Sequence, residues 1–583
     1  MKLLLDQINS HEDVRGLSRN QLADLCVELR SFLIETILEN GGHFAANLGV
    51  IELTVALHHQ LNLPEDVIVW DVGHQSYAHK VLTGRKEGIK NIRKTHGLSG
   101  FPSISESAFD AFGTGHSSTS ISAVLGMAQA SSFSGKANKH IAVIGDGALT
   151  AGQAYEALNH LAETGLDVLA IVNDNQMSID DNNGNIARIL HDAPLAKVFF
   201  ETLGFSYDCC PEGNSIEAVY DSVAKNIKES KPRILHVRTK KGFGYEAAEK
   251  DRIRWHATES MVKVLPDIAP KSKFPKYQEV AGKTLLELAE LDDKVVVVTP
   301  AMPTGSGLKA FEARYPDRFF DVGIAEQHAV TFSAGLAKEG YRVFCFIYST
   351  FLQRAYDQLI HDVCIQNLPV VFCIDRAGLV GGDGATHHGV FDLAYLKPIP
   401  NLDIIAPSSV LQMRDAFYTG LKRIEGPTAI RYPRGRGEVE DFHSALQILT
   451  RGELKILQKG YNLAIISVGS CLSEVKKAIE GLKELKNRVS LIDLVYLKPL
   501  DLKNLKRIFS THSHILVIEN GSLIGGIGEE LAALISQWGL SCSIKNLGIS
   551  GDFVEHGSTS DLLRLNGMDA ASIQKKVLEL LSH

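Results

Sequence analysis

Short apolar runs recur along the 583-residue chain, each ended by a glycine or a polar residue and followed by a segment with helical spacing. Ile141-Ala142-Val143-Ile144 reads as a buried strand, and Gly147 lets the backbone turn sharply just after Asp146. Ala151, Ala154, Tyr155, Leu158 and Leu161 then recur at helical spacing, and a second strand runs from Asp167 to Val172 and stops at Asn173. The right-handed crossover of such a βαβ unit carries Asp146 and Asn175 to the carboxyl ends of neighbouring parallel strands. The same alternation at Val67 to Val72, Val295 to Val298, Val370 to Ile374 and Ile515 to Ile518 predicts an α/β chain of mainly parallel sheets with helices on both faces.

The chain is too long for one core. Pro266, Pro270 and Pro275 with Lys271, Lys273 and Lys276 read as a linker, and a polar run from Arg434 to Gly452 marks a second boundary. Three domains are expected, 1–270, 271–445 and 446–583. A net charge of −8 leaves no basic footprint for nucleic acid or for an anionic membrane, so any phosphate binding must be local. The three leucines near the N-terminus are too few for a signal segment, and no apolar run reaches membrane-spanning length, which predicts a cytoplasmic protein. The eight cysteines include no CxxC pair and read as buried thiols.

Asp146 and Asn175 offer a carboxylate and a carboxamide at one sheet edge, the oxygen donors a Mg²⁺ ion needs while it also holds a diphosphate. A lone Gly-Asp-Gly is more often a capped strand-to-helix turn; the paired Asn173-Asp174-Asn175 decides for the metal reading. A second copy, Gly382-Asp383-Gly384, has Gln412 at the same 29-residue offset and reads as a loop. Gly113 to Ser120 forms an anion pocket at a helix start, or else a simple cap. His74 and His43 are expected to converge on the sheet edge that bears Asp146, which makes them candidates for proton transfer. Glu326, flanked by apolar residues, can be kept protonated and donate to a ring nitrogen. Arg354, Arg376 and Arg434 near strand ends suit phosphate capture, and the glycine-rich loop 381–389 with Asp383, His387 and His388 reads as a lid or as an ordinary surface loop.

These segments together resemble the 1-deoxy-D-xylulose-5-phosphate synthases, thiamine-diphosphate enzymes of the transketolase superfamily. The likeness runs almost end to end through GGHFAANLG (41–49), WDVGHQ (70–75), GHSSTS (115–120), GDGALTAGQAYEALNH (145–160), NDNQMSI (173–179), TKKGFGYEAAEKD (239–251), TPAM (299–302), AEQHAVT (325–331), YSTFLQRAYDQ (348–358) and DRAGLVGGDGATHHG (375–389). The resemblance implies that Asp146, Asn175 and the Met177 carbonyl hold Mg²⁺. His74, Gly115, His116, Ser117, Gly147, Ala148, Asn175 and Tyr245 would surround thiamine diphosphate, with Glu326 bonded to its aminopyrimidine ring and Phe351 stacked on it. His43, His256 and His387 join Glu326 as catalytic residues that handle protons. Tyr348, Arg354, Arg376, Asp383 and Arg434 match the acceptor pocket. The implied reaction joins pyruvate to D-glyceraldehyde 3-phosphate with loss of CO₂, feeding isoprenoid, thiamine and pyridoxal phosphate synthesis, in a homodimer of three-domain subunits.

Three features depart from the family pattern. The stretch from Asp180 to about Cys210 is short, Asn47 replaces a small residue after the His43 motif, and His388 stands where an amide is common. The nearest rival is a transketolase, which normally shows a Gly-His-Pro-Gly type string in place of Gly42-His43-Phe44-Ala45. A 2-oxo-acid dehydrogenase component, which passes its acyl unit to a lipoyl partner, is the rival from another class, and a non-enzymatic binder of the cofactor is the third.

Overall fold

A computed structural model describes residues 3–177, 180, 182, 184–258, 274–437 and 444–582. The chain forms two compact units, 1–271 with 323–325, and 272–322 with 326–583. The proline-rich linker expected around Pro266 and Pro270 lies outside the described residues.

The first unit holds β1 (Gly42–His43), β2 (Val67–Trp70), β3 (His140–Gly145), β4 (Val168–Asp174), β5 (Ser206–Cys210), β6 (Arg233–Arg238) and β7 (Ala257–Thr258). Strands β2 to β6 make a parallel sheet in the order β2-β3-β4-β6-β5. Successive residues of β3 face opposite cores: Ile141 and Val143 join one, with helices Gln21–Asn40 and Ile51–Gln60, while Ala142 and Ile144 join the other, with helices Ser120–Phe133 and Gly152–Thr164. Both faces being covered, the strands read as unbroken apolar runs rather than as alternating ones.

Two local expectations are corrected. The strand beginning at Val67 ends at Trp70, because Val72 turns into the left-handed region at φ +56°. The helix after Asp146 starts only at Gly152, behind a 3₁₀ turn over Ala148–Thr150. In helix Ile51–Gln60 every residue from Ile51 to His58 is buried, since helices Gln21–Asn40 and Ile216–Asn226 both pack on it.

In the second unit, β8 (Val295–Thr299), β9 (Phe319–Asp321), β10 (Arg342–Tyr348), β11 (Val370–Asp375), β12 (Asp403–Ile405) and β13 (Thr428–Arg431) precede β14 (Lys455–Gln458), β15 (Leu463–Ser467), β16 (Val489–Asp493), β17 (Tyr496–Lys498), β18 (His514–Ser522) and β19 (Ser543–Ile549). The two sheets run β17-β12-β13-β11-β10-β8-β9 and β14-β16-β15-β18-β19. They are parallel except for β17 on β12 and β14 on β16. Strand β17 therefore leaves the C-terminal segment to complete the middle sheet. One apolar core, containing Ile404 and Ala429 together with Ala464, Ile466 and Val517, is common to both sheets.

All eight cysteines are free thiols and six are buried. Among the described residues no helix is long and apolar enough to cross a membrane.

Candidate active site

The parallel register Gly145↔Asn173 sets the ends of β3 and β4 side by side, so Asp146 and Asn175 follow adjacent strand tips. Asp146 is buried; its Oδ2 accepts from Asn182 Nδ2 at 3.1 Å, and its Oδ1 has no hydrogen-bond partner among the described residues. Burial, reinforced by the Asp174 carboxylate, lifts the Asp146 carboxyl to about 7. Two successive Asx turns follow. Asp174 Oδ1 accepts from the Gln176 N–H at 3.1 Å, and Asn175 Oδ1 accepts from the Met177 N–H at 3.2 Å, with Gln176 at φ +63°.

Sequence reasoning nominates neither Asp174 nor His191, yet ligand atoms of Asp146, Asp174 and the exposed His191 all lie within 4.8 Å of one another. Asp174 was legible as the middle residue of the Asn-Asp-Asn string. It is already engaged: its Oδ2 pairs with His236 Nε2 at 3.0 Å, and Tyr207 Oη lies 2.8 Å from His236 Nδ1.

The Gly115, His116 and Ser117 loop is anchored by a residue the sequence reading passed over. Asp71, at the end of β2, accepts from the N–H groups of Ser118 at 2.6 Å and Ser120 at 3.0 Å, which caps helix Ser120–Phe133. The Ser118 hydroxyl donates to the Ala148 carbonyl at 2.6 Å, tying this loop to the turn that carries Gly147 and Ala148. At Gly73 (φ +85°) a Cβ would stand 2.2 Å from Thr114 Oγ1, so only glycine lets the His74 loop lie against this one.

His43 does not sit on the five-stranded sheet edge as expected. It lies on β1, whose antiparallel partner β7 follows His256 directly. Its ring centroid is nevertheless 5.7 Å from that of His74 and 6.1 Å from that of His256, and the latter two are 5.4 Å apart. His74 Nδ1 is buried without a partner among the described residues, and burial drops this ring to about 3, so it is neutral. Tyr245 precedes the short helix Glu246–Lys250 and packs its ring 5.1 Å from both Phe44 and Trp255.

In the second unit Glu326 opens helix Glu326–Lys338 and is 4% exposed. Its Oε2 is buried with no partner among the described residues. Burial pushes this carboxyl above the usual carboxylate range, partly opposed by the nearby Arg354 guanidinium. Tyr348 and Phe351 stack at 5.5 Å, the Arg376 guanidinium lies 4.0 Å over the Tyr348 ring, and His387 meets Phe351 edge-on at 5.6 Å. Arg434 Nη1 lies 3.7 Å from Asp383 Oδ2 and donates to the Val380 carbonyl at 3.1 Å.

His388 has a plain structural explanation. Its Nδ1 accepts from the Val380 N–H at 3.0 Å, which leaves Nε2 to donate to the Glu555 carbonyl at 3.1 Å. One donor and one acceptor are what a side-chain amide would offer here.

Comparison with known proteins finds three family profiles: 1-deoxy-D-xylulose-5-phosphate synthase over residues 5–197, the pyrimidine-binding domain of transketolase over 274–438, and the transketolase C-terminal domain over 452–573. The 1-deoxy-D-xylulose-5-phosphate synthase of Parabacteroides distasonis is 44% identical over 621 aligned positions, covering 98% of each chain. That of Chromobacterium violaceum is 43% identical over 619 positions, covering 99% of each. The aligned stretches exceed the 583 residues of this chain, so these relatives carry segments that it lacks. Among solved structures, a transketolase from Campylobacter jejuni covers 97% of this chain and 100% of its own at 17% identity, with a TM-score of 0.45.

Proposed function

The chain belongs to the 1-deoxy-D-xylulose-5-phosphate synthase family, and from that premise we propose how its residues share the family's reaction. It is a transferase that condenses pyruvate with D-glyceraldehyde 3-phosphate to 1-deoxy-D-xylulose 5-phosphate and CO₂, using thiamine diphosphate. Bound thiamine diphosphate supplies the electron sink that decarboxylation of a 2-oxo acid requires.

The observation that carries the assignment is the pair of buried carboxyl groups left with a spare oxygen, Asp146 in one unit and Glu326 in the other. An unpaired buried carboxylate is costly, and a bound metal ion or hydrogen-bonding ring would relieve such a group. Asp146, with Asn175 and the Met177 carbonyl, fits a Mg²⁺ ion, an all-oxygen set whose central charge would be cancelled by the dication. His74, the Gly115 to Ser117 loop, Gly147, Ala148 and Tyr245 hold the cofactor beside it. Glu326, whose neutral form burial favours, would hydrogen-bond a ring nitrogen of the bound cofactor, and Phe351 would cover that ring. His43 and His256 accept and return protons in one unit, and His387 does so in the other. Tyr348, Arg354, Arg376, Asp383 and Arg434 bind the acceptor, the arginines on its phosphate. In this reading the enzyme is a cytoplasmic homodimer.

Incubation of the protein with Mg²⁺, thiamine diphosphate, pyruvate and glyceraldehyde 3-phosphate is expected to give CO₂ and the pentulose phosphate in equal yield. Turnover of ketose phosphates without CO₂ would make it a transketolase, and dependence on lipoamide would make it a dehydrogenase component.

A further inference from the structure

The three histidines that meet in the first unit come from three separate segments, and two different devices hold those segments together. The His43 and His256 segments are joined through backbone: β1 pairs with β7, and the Phe44 and Ala45 N–H groups donate to the carbonyls of His256 at 3.1 Å and Trp255 at 2.9 Å. The His74 segment has no part in that ladder. Its tie to His43 is a side chain, Asn47, which is fully buried.

Asn47 Nδ2 donates to the His43 carbonyl at 2.7 Å and to the His74 carbonyl at 2.8 Å, while Oδ1 accepts from the Tyr77 N–H at 2.8 Å. The amide orientation is unambiguous, because a flip would set oxygen against two carbonyls and nitrogen against an N–H. Tyr77 returns the connection. Its hydroxyl oxygen accepts from the His43 backbone N–H at 3.2 Å and lies 3.2 Å from His43 Nδ1. On the other side of the ring, Arg93 Nη1 is 3.3 Å from His43 Nε2. A guanidinium can only donate, so Nε2 is the acceptor nitrogen and Nδ1 carries the proton directed at the Tyr77 oxygen.

We propose that Asn47 and Tyr77 are positioning residues that brace the His43 loop against the His74 loop and hold His43 in the tautomer that carries its proton on Nδ1 and keeps Nε2 as the acceptor. The proposal rests on the functional reading above. Asn47 supplies the amide half of the brace. Serine in its place lacks the reach and the second donor to span both carbonyls. Phenylalanine in place of Tyr77 leaves the ring packed and removes only the oxygen that receives the Nδ1 proton.

The test is a double-mutant cycle on turnover of the holoenzyme, with cofactor binding to the cofactor-free full chain followed separately by quenching of intrinsic fluorescence. Tyr77→Phe and Asn47→Ser are each expected to lower kcat roughly tenfold, the effect of losing one orienting hydrogen bond, while cofactor affinity changes less than threefold. In a His43→Gln background, whose residual rate is the new baseline, both substitutions are expected to cost less than twofold. Full multiplication of the losses in that background would overturn the proposal, because the residues would then act independently of His43. Unchanged kcat in both single variants would overturn it as well. Should Tyr77→Phe fail to bind cofactor, the Asn47→Ser arm decides alone. An unmutated protein that releases no CO₂ from pyruvate with the acceptor present would instead refute the functional reading, so the two failures are distinct.

Discussion

Glu326 and Asp146 are both buried acids with an oxygen unpaired among the described residues, yet their replacement should have different consequences. Glu326→Ala is expected to retain weak cofactor binding and to lower turnover about a thousandfold, since it removes a group that acts on the ring rather than one that anchors phosphate. Asp146→Ala should weaken Mg²⁺-dependent cofactor affinity itself by roughly a hundredfold, measured by calorimetric titration, because an ionic ligand is lost. Unchanged affinity would count against the ligand assignment. A third acid tests the electrostatics of the second unit without any ligand. Asp375 ends β11 with Oδ2 buried and without a partner among the described residues, and burial lifts it to about 6, opposed by Arg376. Its folded value lies above its unfolded one, so the native state binds more protons and stability falls as pH rises from about 4 to about 6. Asp375→Asn should therefore leave the melting temperature unchanged at pH 4 and raise stability at pH 8 by about 2 kcal/mol, checked by denaturant titration at both values.

The elements that carry these residues differed in how openly the sequence announced them. Strands β3, β4, β8 and β11 are buried along nearly their whole length, and their unbroken apolar runs located them within a residue or two. The tips of β3 and β4 were legible because crossover handedness fixes which end the polar residues reach. What the sequence could not supply was long-range pairing. β1 and β7 are two residues each, too short for any periodicity, and nothing near Gly42 indicates a partner at Thr258. For the same reason the antiparallel strands β14 and β17 were not foreseen. Asp71 went unnoticed because its role is exercised 47 and 49 residues away, on the N–H groups of Ser118 and Ser120. Asp71→Ala would strand both donors and should cost about 3 kcal/mol of stability, read from denaturant midpoints. It should also weaken cofactor binding, through disorder of the Gly115 to Ser117 loop. Loss of stability with unaltered affinity would separate the cap from the anion pocket.

At the scale of the molecule, the second unit behaves as one body despite its two sheets. Strand β17 closes the edge of the middle sheet at β12, and a single core runs through residues of both. A chain ending at residue 445 would leave β12 as a bare edge and expose the apolar side chains that face Ala464, Ile466 and Val517. It should aggregate rather than fold, which light scattering of the truncated protein would report; a soluble monomer with a cooperative melt would show that the middle sheet is self-sufficient. The pairing of β1 with β7 has a comparable effect on timing in the first unit. A ribosome releasing this protein from its amino end will have exposed the strands from β2 to β6 well before Thr258 leaves the exit tunnel, so the sheet can condense while the His43 segment still lacks its partner. Assembly of the pocket proposed to handle protons then follows that of the sheet, and a nascent polypeptide stalled short of Thr258 would hold a well-formed scaffold with that pocket unassembled.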